Sequence, residues 1–133
     1  PTVLGERILH PLFKDQARVA GIVIAMCASE ERAVIIRVFR PTIHPGKESE
    51  FESFLRDTAV PLVSRQAGLV AQHAGRSHNP SSTEYVYVTV WQDVESIRAF
   101  AGERWQDAVI APDEEHLLKD TWIAHYEVLP MSG

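Results

Sequence analysis

Read along residues 33–130, the elements run strand, helix, strand, strand, helix, strand. That order predicts an α+β fold of the ferredoxin-like, split βαβ kind, with helices on one face of an antiparallel sheet. Three stretches carry the reading. AVIIRVF, from Ala33, is short and rich in β-branched residues, as strands are. Residues 46–66 place Phe51, Phe54, Leu55, Thr58, Ala59 and Leu62 on one helical face. TEYVYVTVW, residues 83–91, alternates almost throughout. Residues 1–32 fall outside the pattern and read as an N-terminal extension to a domain spanning 33–130.

In the extension, Pro11 can open a short helix at its first turn. Residues 19–26 then read as extended, because Gly21 and the β-branched run 22–24 disfavour a helix. A chain starting at Met26 would still hold the whole domain. After the first strand, Pro41, Pro45 and Gly46 mark a turn. Glu48 and Glu50 sit in the first turn of the helix that follows, where carboxylates suit the positive end of its dipole. Pro61 should kink or split that helix, and Gly68 should end it. A second strand is expected over 69–78, a turn at Asn79–Ser82 and the third strand over 83–91. Asp93 can cap a helix running to Ala101, with Gly102 as its stop. A short helix is expected over 103–110, stopped by Pro112, and a further turn or two over 113–119. The last strand is TWIAHYEVL, residues 121–129.

Composition bounds the partners. Thirteen Lys and Arg against eighteen Asp and Glu give 13 − 18 = −5. That balance disfavours nucleic acid or an anionic membrane, both of which select clustered positive charge. One cysteine, Cys27, excludes an internal disulfide framework and a multi-cysteine zinc site. The longest apolar run, residues 19–28, is half the roughly twenty residues of a spanning helix. It also lacks the flanks of a secretory signal. A soluble, cytoplasmic protein is expected.

Strand parity divides each strand into two faces. Val34, Ile36 and Val38, with Val86, Val88 and Val90, make an aliphatic face. Ile35, Arg37 and Phe39, with Tyr85, Tyr87, Thr89 and Trp91, make a mixed one. An aliphatic face with no helix left to cover it predicts a homodimer packed sheet to sheet. The mixed face should lie under the helices. It suits a small-molecule pocket, or else a core of amphipathic fillers with their polar tips at the rim.

The segments RVFRPTIHPGKESEFESF, VYVTVWQDVESIRAFAG and WIAHYEVL, within residues 34–129, resemble the antibiotic biosynthesis monooxygenase family of the dimeric α+β barrel superfamily. The tryptophan closing the third strand and the Ala-Phe pair of the next helix are the most characteristic part. The resemblance implies a cofactor-independent monooxygenase. Such an enzyme oxidises an aromatic polyketide-like or quinol substrate with dioxygen and needs neither metal nor flavin. The rival reading is a non-catalytic binder or structural dimer. Haem degradation stands third: its relatives share the tryptophan at Trp91, but the first-strand position expected as asparagine is Phe39, and residues 104–110 hold no histidine.

Candidate residues follow from both lines. Trp91, Tyr87, Phe39, Thr89 and Trp105 are the expected substrate contacts, with core packing as the alternative for Trp91. Arg37 is a fixed positive charge for an enolate or phenolate, or the partner of a helix carboxylate. His125 and His73, both mid-strand, are the candidate bases, and Glu127 shares a face with His125. His10, His44, His78 and His116 read as solvated, as do the pairs Glu30-Glu31 and Glu114-Glu115. No metal site is expected: there is no HxH or HExxH, and the odd offset of His73 and His78 points them to opposite faces.

Overall fold

The computed structural model describes residues 33–131. The expectations for residues 1–32, including the helix from Pro11, the extended 19–26 and the site of Cys27, lie outside the described residues. Four antiparallel strands form one sheet: β1 (Ile35–Ile43), β2 (Leu69–Arg76), β3 (Tyr85–Trp91) and β4 (Leu118–Glu127), in the order β2-β3-β1-β4. This is the α+β, ferredoxin-like architecture that the element order predicts.

β1 runs past Pro41. Its ladder to β3 registers from Ile35↔Trp91 to Phe39↔Tyr87, while its ladder to β4 continues through Pro41↔Thr121. The missing N–H of Pro41 thus falls beyond the last registered β3 pair, where a strand proline is tolerated.

The long helix is one path with an altered middle. α1 (Glu48–Phe54) passes into a π-helical turn over Leu55–Ala59 and then α2 (Val60–Ser64). Pro61 explains the widening. It has no N–H to give the preceding turn, and its ring would clash with the carbonyl four residues back. A π-turn opens that spacing without breaking the helix. At its end Val60 N–H reaches Leu55 O, five residues back.

α3 (Val94–Ala101) starts and stops as its caps dictate. Asp93 Oδ1 accepts from Ser96 N–H at 2.8 Å, and Gly102 ends the helix at φ 90°. Asp93→Ala should cost about 1 kcal/mol in denaturant unfolding; an unchanged midpoint would show that the cap carries no stability.

Two expectations need correction. Residues 103–110 form turns, not a helix. In 113–119 the only helix is a 3₁₀ turn at Glu115–Leu117, and β4 begins at Leu118, earlier than the sequence suggests.

The helices and the 102–117 segment all cover one face. Beneath them lie two apolar clusters. One centres on Ile43, Phe51, Tyr85, Ile110 and Leu117, the other on Ile35, Val63, Trp91, Ile97 and Ala101. On the opposite face, across the registers, sit Val90, Ile36 and Tyr126, then Val88, Val38 and Ala124. Nothing among the described residues covers it. Tyr126 is 50% exposed and Trp122 44%.

Candidate active site

The two apolar clusters do not close completely. Between them lies a cavity of about 100 Å³, well above the roughly 10–15 Å³ that one water needs. Its sheet wall is Arg37, Phe39, Tyr87, Thr89, Trp91 and Ile123. Its helical wall is Phe51, Phe54, Leu55, Thr58 and Leu62, the same apolar stripe the sequence places on one helical face. Val109, Ala111 and Glu114 close it from the 102–117 segment.

Strand parity puts the sheet residues here. Arg37, Thr89 and His125 are registered neighbours across β3, β1 and β4, so their side chains share the helix-covered face. Arg37 is only 5% exposed. Its guanidinium donates to the backbone oxygens of Trp105 and of Asp107, the latter at 3.1 Å. It also lies 2.8 Å from His125 Nε2. Guanidinium nitrogens can only donate. His125 Nε2 therefore accepts, and the ring proton sits on Nδ1. Burial, and then the charge of Arg37, push the His125 pKa down to about 4. The imidazole is neutral at pH 7, with its free lone pair already engaged. The Trp105 and His125 rings meet in a T-shaped arrangement with their centroids 4.9 Å apart.

The polar atoms of Trp91 and Tyr87 on the sheet wall are also engaged. Trp91 Nε1 donates to Thr89 Oγ1 at 2.8 Å, and its ring stacks on Phe100 at 5.5 Å. Tyr87 donates its phenol proton to Gln72 Oε1. Burial pushes the Tyr87 pKa up to about 12, so it stays neutral.

Of the expected substrate contacts, Phe39, Tyr87, Thr89 and Trp91 line the cavity with Arg37. Trp105 stands one layer back, holding Arg37 and His125 rather than the cavity wall. His125 likewise reaches the cavity through Arg37, and its partner is Arg37 rather than Glu127. His73 is elsewhere. Its register partner is Val88, so it projects from the open face and is exposed. His73 therefore lies outside this cavity.

Glu114 is the residue sequence reading missed. Expected on a solvated surface, it is 5% exposed and lines the cavity. Ala111 N–H donates to its Oε1 at 3.0 Å, and its own N–H donates back to Ala111 O at 3.1 Å. Burial outweighs that single bond and raises its pKa to about 7. The signal was present in Ala111-Pro112-Asp113-Glu114: a proline at the first position of a turn and a glutamate two later is half a capping box. Such a glutamate folds back on the turn instead of reaching into water.

Fold and site together define a ferredoxin-like α+β domain with an apolar, aromatic-walled cavity. The profile of the antibiotic biosynthesis monooxygenase family matches residues 34–110. This chain belongs to that family. SnoaB from Streptomyces nogalater, a cofactor-independent oxygenase, is 26% identical at a TM-score of 0.56, with 74% of this chain and 96% of that one covered. A Pseudomonas aeruginosa protein is similar at 19% identity and a TM-score of 0.56, covering 75% of this chain and 98% of that one. A heme-degrading protein from Mycobacterium tuberculosis shares the fold at 18% identity and a TM-score of 0.53, covering 76% and 97%. No curated protein matches the sequence.

Proposed function

We propose that this chain is a cofactor-independent monooxygenase. It takes a flat aromatic polyketide-like or quinol substrate into the cavity and oxidises it with dioxygen. The single observation that carries the reading is the cavity itself. Phe39, Phe51, Phe54, Tyr87 and Trp91 offer ring faces and edges, and Arg37 supplies one buried positive charge beside them. That combination suits a planar ring system whose oxygen becomes anionic during reaction. The likeness to SnoaB supports it. For an anthrone the balance is anthrone plus dioxygen giving anthraquinone plus water. One oxygen atom enters the ring carbon, and the other leaves as water with the two hydrogens that carbon carried.

Oxygen uptake with a panel of anthrones and hydroquinones, without added metal or flavin, tests the reading. One quinone per dioxygen is expected. A second reading, a non-catalytic binder, is favoured by the internal bonds that already engage the polar tips of Tyr87 and Trp91. Tight binding of the same panel with no uptake would establish it.

The proposal includes a homodimer, joined through the open sheet face, with 33–130 as the domain and 1–32 as an addition to it. Val34, Trp122, Tyr126 and Val128 on that face are each more than a third exposed. Burying such a surface is the dominant gain in association. Light scattering should give twice the chain mass, and Val88→Lys should give a monomer. A wild-type monomer at micromolar concentration would sink the dimer.

A further inference from the structure

We propose that Glu114 is the catalytic base that removes a proton from the substrate, which selects uncharged aromatics bearing one acidic C–H or O–H. The inference rests on the oxygenase reading above and gives that cavity its proton acceptor. The case is geometric. Glu114 is 5% exposed, lines the cavity and spends only Oε1 on Ala111 N–H. Among the described residues nothing donates to Oε2. The turn holding it is fixed at both ends: Glu114 N–H binds Ala111 O, and Leu117 N–H binds Glu114 O at 2.9 Å.

Among the described residues, the other ionisable groups around the cavity cannot take the role. Arg37 is a permanent cation, and Tyr87 keeps a proton that it already donates to Gln72. His125 behind Arg37 has its accepting nitrogen filled by that guanidinium. The helical wall contributes Phe51, Phe54, Leu55, Thr58 and Leu62, none of them ionisable, and β4 contributes Ile123. Asp113, Glu115 and His116, its chain neighbours, point to solvent.

In the step proposed, the C–H or O–H bond of the substrate breaks and its proton joins the Glu114 carboxylate. The electron pair stays on the substrate as an enolate or phenolate, stabilised by Arg37. Those are the electrons later passed to dioxygen. A carboxylate-bearing substrate would face a like charge at Glu114 and bind poorly. Burial also brings the carboxyl close to neutral pH, where a base works best.

The test separates proton removal from oxygenation. Anthrone in D2O without dioxygen reports only the exchange of its acidic carbon hydrogen. Wild type should exchange it above the buffer rate, on a limb rising through about pH 7. Glu114→Gln, which keeps the acceptor for Ala111, should cut that rate and oxygen turnover by roughly 10²–10⁴ and abolish the limb. Its affinity for anthraquinone, read by tryptophan fluorescence, should match wild type. Glu114→Asp, with a carboxylate set back by one carbon, should keep part of the exchange. Equal exchange by wild type and Glu114→Gln overturns the base while leaving the oxygenase standing, as does exchange at the buffer rate with oxygen uptake intact. Glu114-dependent exchange without oxygen uptake overturns the oxygenase instead.

Discussion

Glu114→Gln should make the folded protein more stable, with a gain that grows as pH rises. The Glu114 carboxyl titrates at about 7 in the fold, against an ordinary value of 4.5. Between those values the folded chain holds a proton that the unfolded chain has released. Stability must then fall as pH climbs through this window, because the native state binds the extra proton. Above pH 7 the whole penalty is present, a buried charge costing about 3 kcal/mol. Glutamine never ionises, so the variant escapes the penalty. At pH 8 its unfolding free energy should exceed wild type by up to that amount, and at pH 4 the two should converge.

His125 complicates the wild-type profile in a way the difference removes. Its folded value of about 4 lies below its ordinary 6.5. The unfolded chain therefore binds the extra proton, and stability falls as pH drops through 6.5 toward 4. The two groups oppose each other between 4.5 and 6.5, so wild type should be nearly flat there. Glu114→Gln should expose the His125 slope alone. Chemical denaturation from pH 4 to 8.5 measures both. A variant less stable than wild type at pH 8 would mean that the carboxylate is held by partners other than Ala111. A stabilising substitution that removes proton transfer is the expected signature of a group kept for function at the expense of the fold.

How far the sequence could show this depends on which force decides each element. Parity alone placed Arg37, Phe39, Tyr87, Thr89 and Trp91 on the cavity face, because a strand leaves side chains only two directions. Asp93 and Gly102 bounded α3 for equally local reasons. Residues 103–110 failed for a non-local one. A helix over 103–110 would need Trp105 O as the acceptor for the N–H four residues on. Arg37, 68 residues away, takes that carbonyl instead, and it holds Asp107 O as well. His73 and His125 are alike as mid-strand histidines, and only the register of β2 on β3, with its irregularity between Leu69 and Ala71, sends His73 to the open face. Glu114 sits between exposed Asp113 and Glu115, so composition hid it and turn geometry turned it inward.

Arg37→Met should damage stability and turnover together, and Arg37→Lys should separate them. Methionine roughly matches the length of the side chain and removes the charge and every donor. The backbone oxygens of Trp105 and Asp107 then lose a partner in a half-buried segment, at about 1–3 kcal/mol for each acceptor left unsatisfied. Unfolding in denaturant should show a loss of about 2–5 kcal/mol. Amide exchange should rise locally over residues 103–110, which Arg37 ties to the sheet. His125 should titrate higher than about 4, because the Arg37 charge that helps to depress it is gone. Loss of the positive charge that Arg37 brings to the cavity should cost roughly 10²–10³ in turnover, the usual range for removing one donor from a developing oxyanion. Lysine restores the charge but not the fork that reaches two carbonyls and an imidazole at once. It should therefore recover part of the turnover while 103–110 stays loose. Full turnover in Arg37→Met would take Arg37 out of the chemistry and leave it as the anchor of that segment alone. Normal exchange over 103–110 would remove the anchoring role instead.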